Sequence, residues 1–140
     1  RLGIEVTERL LLEDNDGTLS IMQQLTNLGV GLSLDDFGTG YSSLNYLRKF
    51  PFHKIKIDQS FISDIGDERG VKAIIGAVAS RGAGLDKIVV VEGIETEEQM
   101  RLVTANGCHE GQGFLFGKPM SSEQIRARLE TPVKFAQKVA

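Results

Sequence analysis

The chain has 140 residues, 41% hydrophobic and 25% charged, a balance typical of one globular domain with a sizeable core. Its net charge of −3 at pH 7 argues against a nucleic-acid polymer as partner, although one small phosphate ligand is compatible with it. The single cysteine, Cys108, excludes an intramolecular disulfide and a thiolate metal cluster. No apolar run approaches the ~18 residues of a membrane span, so we expect a cytoplasmic segment without membrane contact.

Hydrophobic periodicity predicts strands that alternate with helices along the chain, a pattern typical of α/β folds with parallel strands. The predicted strands are 2–7, 30–34, 52–57, 87–91 and 108–113. The predicted helices are 18–28, 43–49, 71–81 and 123–129. One more helix is predicted between Thr96, which caps it, and residues 106–107, which end it. The chain begins inside a strand without an initiator methionine, which suggests a fragment. A complete (β/α)8 barrel needs about 250 residues, so there is room for about five of its eight units.

The strand ends carry polar side chains at nearly every position where a ligand of a parallel fold would bind. These side chains are Glu5, Asp35, Asp36, Lys56, Asp58, Glu92 and Gln112. Carboxylate and amide oxygens suit hard cations such as magnesium or manganese. Two such ions about 3.5–4 Å apart can hold a phosphodiester and generate hydroxide, while a lysine beside them neutralises developing charge.

The adjacent carboxylates of Asp35 and Asp36 stand where a buried strand meets a glycine-bearing loop. Like charges repel, so a protein seldom places both there without a cation or hydrogen-bond donors. We therefore interpret this pair as half of a metal site. Three other interpretations remain open. Residues 36–38 spell the Asp-Phe-Gly metal motif of protein kinases. Lys54 and Lys56 share a face of their strand, as lysine bases do in enolase-like barrels. In the third interpretation the polar strand ends are only solvated rims, and Lys56 pairs with Asp58 at the surface.

Five segments in order resemble the motifs of EAL-domain cyclic di-GMP phosphodiesterases. They are residues 5–8 (EVTE), 35–44 (DDFGTGYSSL), 56–61 (KIDQSF), 91–96 (VEGIET) and 112–119 (QGFLFGKP). The resemblance implies a TIM-like (β/α) barrel that is present here in part. Residues 1–140 would then be the C-terminal portion of one EAL domain. It also implies hydrolysis of cyclic di-GMP to linear pGpG with two Mg²⁺ or Mn²⁺ ions.

By this resemblance, Glu5 is a ligand of one metal and Asp35 bridges both. Asp36 and Glu92 belong to the second metal, and Lys56 contacts the attacking water. Lys56, Glu92 and Asp36 are thus the expected catalytic residues.

The resemblance also implies supporting groups around this centre. Gln112 and Asp58 support the site or bind substrate, Glu8 steadies the signature loop, and Glu95 lies behind the metal ligands. The loop resembles the family's dimerisation region, which implies a homodimer. Its residues are Phe37, Gly38, Thr39, Gly40, Tyr41, Ser42 and Ser43.

Some family features do not occur in this chain. Among them are the Glu-Ala-Leu motif and the asparagine on the following strand, both first-metal ligands in the family. Val91 and Gly111 are smaller departures that remove no site group. A non-catalytic cyclic di-GMP receptor or a dimerising regulatory module is the alternative function.

Overall fold

The computed structural model describes residues 2–12, 15–39, 44–63, 68–108 and 110–130. The strands are β1 (Gly3–Thr7), β2 (Gly31–Phe37), β3 (Lys54–Ile57), β4 (Ile88–Val91) and β5 (Glu110–Gly111). The helices are α1 (Asn15–Asn27), α2 (Leu44–Lys49), α3 (Ser60–Ser63), α4 (Glu68–Ala83), α5 (Glu97–Ala105) and α6 (Ser122–Glu130). A short 3₁₀ helix, Glu8–Leu12, follows β1.

The five strands form one parallel sheet in the order β1-β2-β3-β4-β5. Strand order therefore equals chain order, the arrangement in which successive βα units follow one another around a barrel. Parallel neighbours need crossover connections, and helices supply them here. The alternation predicted from the sequence is confirmed.

The two faces of the sheet differ in polarity because side chains alternate along each strand. One face is apolar and fully buried: Leu32, Ile55 and Val89 are each 0% exposed. Residues from α1 and α4, such as Met22 and Ile75, belong to the same core. On the other face, register places polar residues side by side in the series Glu5, Ser33, Lys54. The site is built on this second face.

Several boundaries differ from those predicted. Strand β2 runs on through the paired aspartates to Phe37, and β5 contains two residues instead of six. Neither the 3₁₀ helix Glu8–Leu12, which buries Leu11, nor helix α3 was predicted. Four-residue helices and 3₁₀ turns lack the length over which helical periodicity is visible in a sequence.

Within the described residues, no helix combines the length and the hydropathy needed to cross a lipid bilayer. Most of the apolar residues predicted to pack on the longer helices are buried, among them Leu102 and Val103 of α5 and Ile75 and Val78 of α4. Ile74, predicted to share the apolar face of α4, is 42% exposed, and Leu28, predicted within the first long helix, lies beyond α1 and is 80% exposed. Residues 131–140, where the sequence suggested a short terminal helix, lie outside the described part of the chain.

Candidate active site

A β-bulge in β2 places two adjacent carboxylates on the polar side of the sheet. Leu34 pairs with Ile55 and Phe37 with Ile57, so Asp35 and Asp36 together stand opposite the single residue between those partners, Lys56. Asp36 has a positive φ of 54°, in the left-handed region that aspartate tolerates better than most residues. A regular strand would send neighbouring side chains to opposite faces. The bulge therefore makes the pair available to one ligand.

Lys56 is the centre of an ion-pair network that joins three strand ends. Its Nζ lies 2.9 Å from Glu5 Oε2, 2.9 Å from Asp35 Oδ1 and 2.8 Å from Glu92 Oε1. The lysine side chain is only 7% exposed. All three N–H donors of an ammonium thus have a carboxylate within hydrogen-bonding distance.

This environment keeps Lys56 charged. Burial alone would lower the pKa of its ammonium, but hydrogen bonds to Glu92, Asp35 and Glu5 outweigh that effect and raise the pKa above its usual range. The side chain therefore remains an ammonium at any physiological pH. It can donate hydrogen bonds and balance negative charge, but it is not a proton acceptor in this arrangement.

Three carboxylates lie close enough to share a cation. Asp35, Asp36 and Glu92 each offer an oxygen, and these oxygens lie within 4.8 Å of one another. All three residues are half-buried. With Glu5 the centre contains four carboxylates against the one ammonium of Lys56, a negative excess that a divalent cation would neutralise. The oxygen donors present therefore fit Mg²⁺ or Mn²⁺.

A cavity of about 320 Å³ opens beside these carboxylates. Its walls come from the ends of β2, β3, β4 and β5: Asp36, Asp58, Gln59, Glu92, Gly93, Glu95, Gln112, Gly113 and Phe114. It thus brings together five of the residues predicted to act in the site. Gln59, Gly93, Gly113 and Phe114 were not predicted. The first three each stand next to a predicted residue in the sequence, and Phe114 is two positions from Gln112.

Asp58 is oriented by the start of α3. Its Oδ1 accepts a hydrogen bond from the backbone N–H of Ser60 at 2.9 Å. Hydrogen bonding from Ser60 lowers the pKa of the carboxyl group, although partial burial opposes the shift. Asp58 therefore faces the cavity as a carboxylate. Lys56 bonds to Glu5, Asp35 and Glu92, so the proposed surface pair of Lys56 with Asp58 does not form.

Gln112 and Glu95 are positioned by backbone hydrogen bonds. The N–H of Gln112 donates to Val91 O at 2.9 Å, and its carbonyl accepts from Ile94 N at 3.0 Å. Glu95 N donates to Gln99 Oε1 at 2.7 Å. Both side chains are exposed along the cavity wall.

Of the signature loop, residues 37–43, the structure describes residues 37–39. Phe37 is buried, and Gly38, with φ of 101°, lies so close to the ring of Phe61 that an added Cβ would overlap it. Thr39 donates from its N–H and Oγ1 to Asp36 O, at 3.3 and 3.0 Å. Gly40, Tyr41, Ser42 and Ser43 lie outside the described residues. Glu8, predicted to steady this loop, is 5% exposed and opens the 3₁₀ helix.

Lys54 has a partner of its own. Its Nζ lies 2.6 Å from Glu110 Oε2, across β4 on the polar face of the sheet. Lys54 is not among the residues that line the cavity. The two lysines of β3 therefore serve separate ion pairs, which removes the reason for comparing them with the paired groups of enolase-like barrels.

Fold and site together define part of an α/β barrel with a carboxylate-lysine centre at the carboxyl ends of its strands. The family model described as EAL domain matches residues 1–119. The chain belongs to the EAL domain family, and the predicted fold class, a partial TIM-like barrel, is confirmed.

Several known proteins are similar to this chain in sequence or in structure. The bifunctional diguanylate cyclase/cyclic di-GMP phosphodiesterase MucR of Pseudomonas aeruginosa is 46% identical over 126 residues, which are 90% of this chain and 18% of MucR. The EAL domain of Mycobacterium smegmatis DcpA matches with a TM-score of 0.84 at 35% identity, covering 91% of this chain and 57% of that one. Klebsiella pneumoniae BlrP1, solved with manganese and cy-diGMP, gives a TM-score of 0.76 at 37% identity, covering 84% of this chain and 30% of BlrP1.

Proposed function

We propose that this chain is the C-terminal portion of an EAL domain that hydrolyses cyclic di-GMP to linear pGpG, and that Mg²⁺ or Mn²⁺ serves as cofactor. The observation that carries the proposal is the contact of Lys56 with Glu5, Asp35 and Glu92 beside the close trio Asp35, Asp36 and Glu92. Family membership and the cy-diGMP complex of BlrP1 support the choice of substrate.

In this proposal the four carboxylates would hold two cations. Asp35 would be shared by both, Asp36 and Glu92 would hold one of them, and Glu5 would hold the other. When bound, such ions supply Lewis acidity and lower the pKa of a coordinated water. Lys56, held as an ammonium, would orient the attacking water through a donor that a bound cation frees from one of these carboxylates, and it would balance charge on the phosphoryl oxygens.

The cavity walls would then contact the dinucleotide. Asp58, Glu95 and Gln112 offer hydrogen-bonding groups at the rim, and the half-exposed ring of Phe114 offers a flat apolar surface. Aromatic rings of this kind stack on nucleobases. We propose these residues as substrate-binding or supporting groups.

Assembly and location follow from the resemblance alone. We propose a homodimer that pairs through residues 37–43, and a cytoplasmic location for this domain. Analytical ultracentrifugation of the full-length protein tests the first, with Tyr41→Ala as the variant expected to shift it toward monomer.

The test of function uses the full-length protein with cyclic di-GMP, with and without Mn²⁺ or Mg²⁺. We expect pGpG to form only when the metal is present. Glu92→Gln and Asp36→Asn remove one charge each without changing size, and each should lower kcat by about 10²-fold or more. Glu98→Gln, an exposed carboxylate on α5, is the matched control and should retain activity.

Two outcomes would contradict the proposal. Turnover that survives Glu92→Gln and Asp36→Asn would show that these two carboxylates do not form the catalytic centre. Tight binding of cyclic di-GMP by the parent protein without turnover in either metal would identify a receptor or regulatory module instead of an enzyme.

A further inference from the structure

Gln99 is a buried amide whose hydrogen bonds reach beyond its own helix. It is 6% exposed and lies in the first turn of α5. Its Oε1 accepts from the backbone N–H groups of Glu95, at 2.7 Å, and Thr96, at 2.9 Å. Its Nε2 donates to the backbone carbonyl of Ile62, in α3, at 3.2 Å.

The network itself determines the orientation of this amide. Rotating it by half a turn would aim its NH₂ group at the N–H groups of Glu95 and Thr96 and its oxygen at the carbonyl of Ile62. Both contacts would be repulsive, so only one orientation satisfies the groups present. The position requires a side chain that accepts at one end and donates at the other. Glutamate, when ionised, supplies only the acceptor, and methionine supplies neither.

The two segments joined by Gln99 both carry site residues. Residues 92–96 follow β4 and include Glu92 and Glu95, while residues 58–63 follow β3 and begin with Asp58. The segments also touch at Gly93, where an added Cβ would overlap Gln59. Both segments line the same cavity. Gln99 thus lies behind the cavity wall and connects its two parts.

We propose that Gln99 is a positioning residue for the site. Its amide fixes residues 92–96 relative to residues 58–63, so that Glu92 and Asp58 keep their places around the cavity. The effect on turnover rests on the proposed hydrolysis of cyclic di-GMP, whereas the effect on the two segments does not.

Two substitutions separate this role from ordinary helix capping. Gln99→Met removes every side-chain hydrogen bond at nearly constant length. Gln99→Glu keeps the acceptor for Glu95 and Thr96, and a glutamate at this position preserves the capping box with Thr96. It replaces the donation to Ile62 with a carboxylate oxygen that faces the same carbonyl, and it places one negative charge at a buried position.

The chain also contains a matched control, Gln124. Its Oε1 accepts from Ser121 N at 2.9 Å, and Ser121 Oγ accepts from Gln124 N at 3.3 Å. This is the same capping arrangement at the start of α6, where it is exposed. Gln124→Met therefore removes a similar cap and should leave kcat within about twofold of the parent value.

Steady-state kinetics of the full-length protein give the first measurement. We expect Gln99→Met and Gln99→Glu each to lower kcat by about tenfold or more, with KM changing less, because misplacing catalytic groups acts mainly on the reaction step. A parent-like kcat for Gln99→Glu would show that Gln99 only caps α5, and it would overturn the proposal.

Amide hydrogen exchange followed by mass spectrometry gives a measurement independent of turnover. Both Gln99 variants should exchange faster than the parent protein in residues 58–63, and Gln124→Met should not. Unchanged exchange there, or an equal increase across the whole domain, would overturn the proposal. If the parent protein forms no pGpG while exchange changes as expected, the proposed function fails and the role of Gln99 in positioning the two segments stands.

Discussion

Asp35 and Asp36 are neighbours in the chain, and both carboxylates serve the same side of the sheet because β2 bulges opposite Lys56. Oxygens of Asp35, Asp36 and Glu92 lie within 4.8 Å of one another, a separation at which charges of the same sign repel. Lys56 relieves part of this repulsion. The stability of the site and the cation binding proposed for it are therefore coupled through one lysine.

Replacing that lysine should destabilise the domain. Lys56→Met leaves Glu5, Asp35 and Glu92 without their shared partner, and we expect a loss of about 3 kcal/mol in the free energy of unfolding. Added Mn²⁺ should restore part of it, because the cation neutralises the same carboxylates. Denaturant unfolding with and without Mn²⁺ measures both effects.

Lys54→Met is the comparison for this experiment. Lys54 bonds to the single carboxylate of Glu110, and the pair is 26% and 46% exposed. Its loss should be under about 1 kcal/mol and should not respond to Mn²⁺. Equal losses for the two lysine variants would contradict the special role given to Lys56.

Stability and metal binding should change in opposite directions in Asp36→Asn. Asparagine tolerates the left-handed backbone of this position, and removing one charge reduces repulsion with Asp35 and Glu92. We expect the metal-free variant to be as stable as the parent or slightly more stable. Its affinity for Mn²⁺ should fall by about tenfold or more, as measured by isothermal titration calorimetry. A variant that lost stability and kept its affinity would show that Asp36 is structural.

Two glycines with similar backbones make a sharp test of the cavity wall. Gly93 and Gly107 have φ of 72° and 81°, so alanine is strained at either position by about 1 kcal/mol. At Gly107 an added Cβ meets nothing within 4 Å, whereas at Gly93 it overlaps Gln59. We expect Gly107→Ala to lose about 1 kcal/mol and Gly93→Ala about 3 kcal/mol of unfolding free energy. Only Gly93→Ala should lower kcat. Equal effects of the two substitutions would contradict the close packing of residues 92–96 against residues 58–63.

The stabilising effect of Asp58 should depend on pH. Hydrogen bonding from Ser60 lowers the pKa of Asp58 in the folded state, so the folded protein binds a proton less readily than the unfolded chain. The contribution to stability is therefore complete above the unfolded pKa of about 3.9 and is lost as the pH falls through the folded pKa. Asp58→Asn should be less stable than the parent protein at pH 6, and the difference should shrink below pH 4. Urea unfolding across this range measures it, and a difference independent of pH would contradict the assignment.

The sequence predicted which strands end in site residues, because buried β-branched runs and the polar groups that follow them are local signals. It also predicted that Asp35, Lys56 and Glu92 would converge, since the carboxyl ends of parallel strands meet at one edge. The cap of α5 by Thr96 is likewise confirmed.

Other features depend on contacts between distant residues. The bulge exists only relative to β3, so no property of β2 alone reveals that Asp36 shares a face with Asp35. The bond from Gln99 to Ile62 spans 37 positions, and nothing in the local sequence indicates it. A capping pattern at Thr96 and Gln99 is the one sequence signal that could have drawn attention to that amide. The same limit applies to β5, whose two-residue length reflects its partner rather than its own apolar content.

The contacts of Lys56 have a consequence for how the site responds to its ionic surroundings. An incoming divalent ion does not meet bare carboxylates, because an internal counterion already lies among them. The metal binding proposed above would therefore be an exchange, in which attraction gained by the metal is offset by attraction lost to the ammonium. The same counterion keeps Glu5, Asp35 and Glu92 gathered beforehand, so little rearrangement is needed. We therefore expect the cation occupancy of this centre to follow the free metal concentration around it.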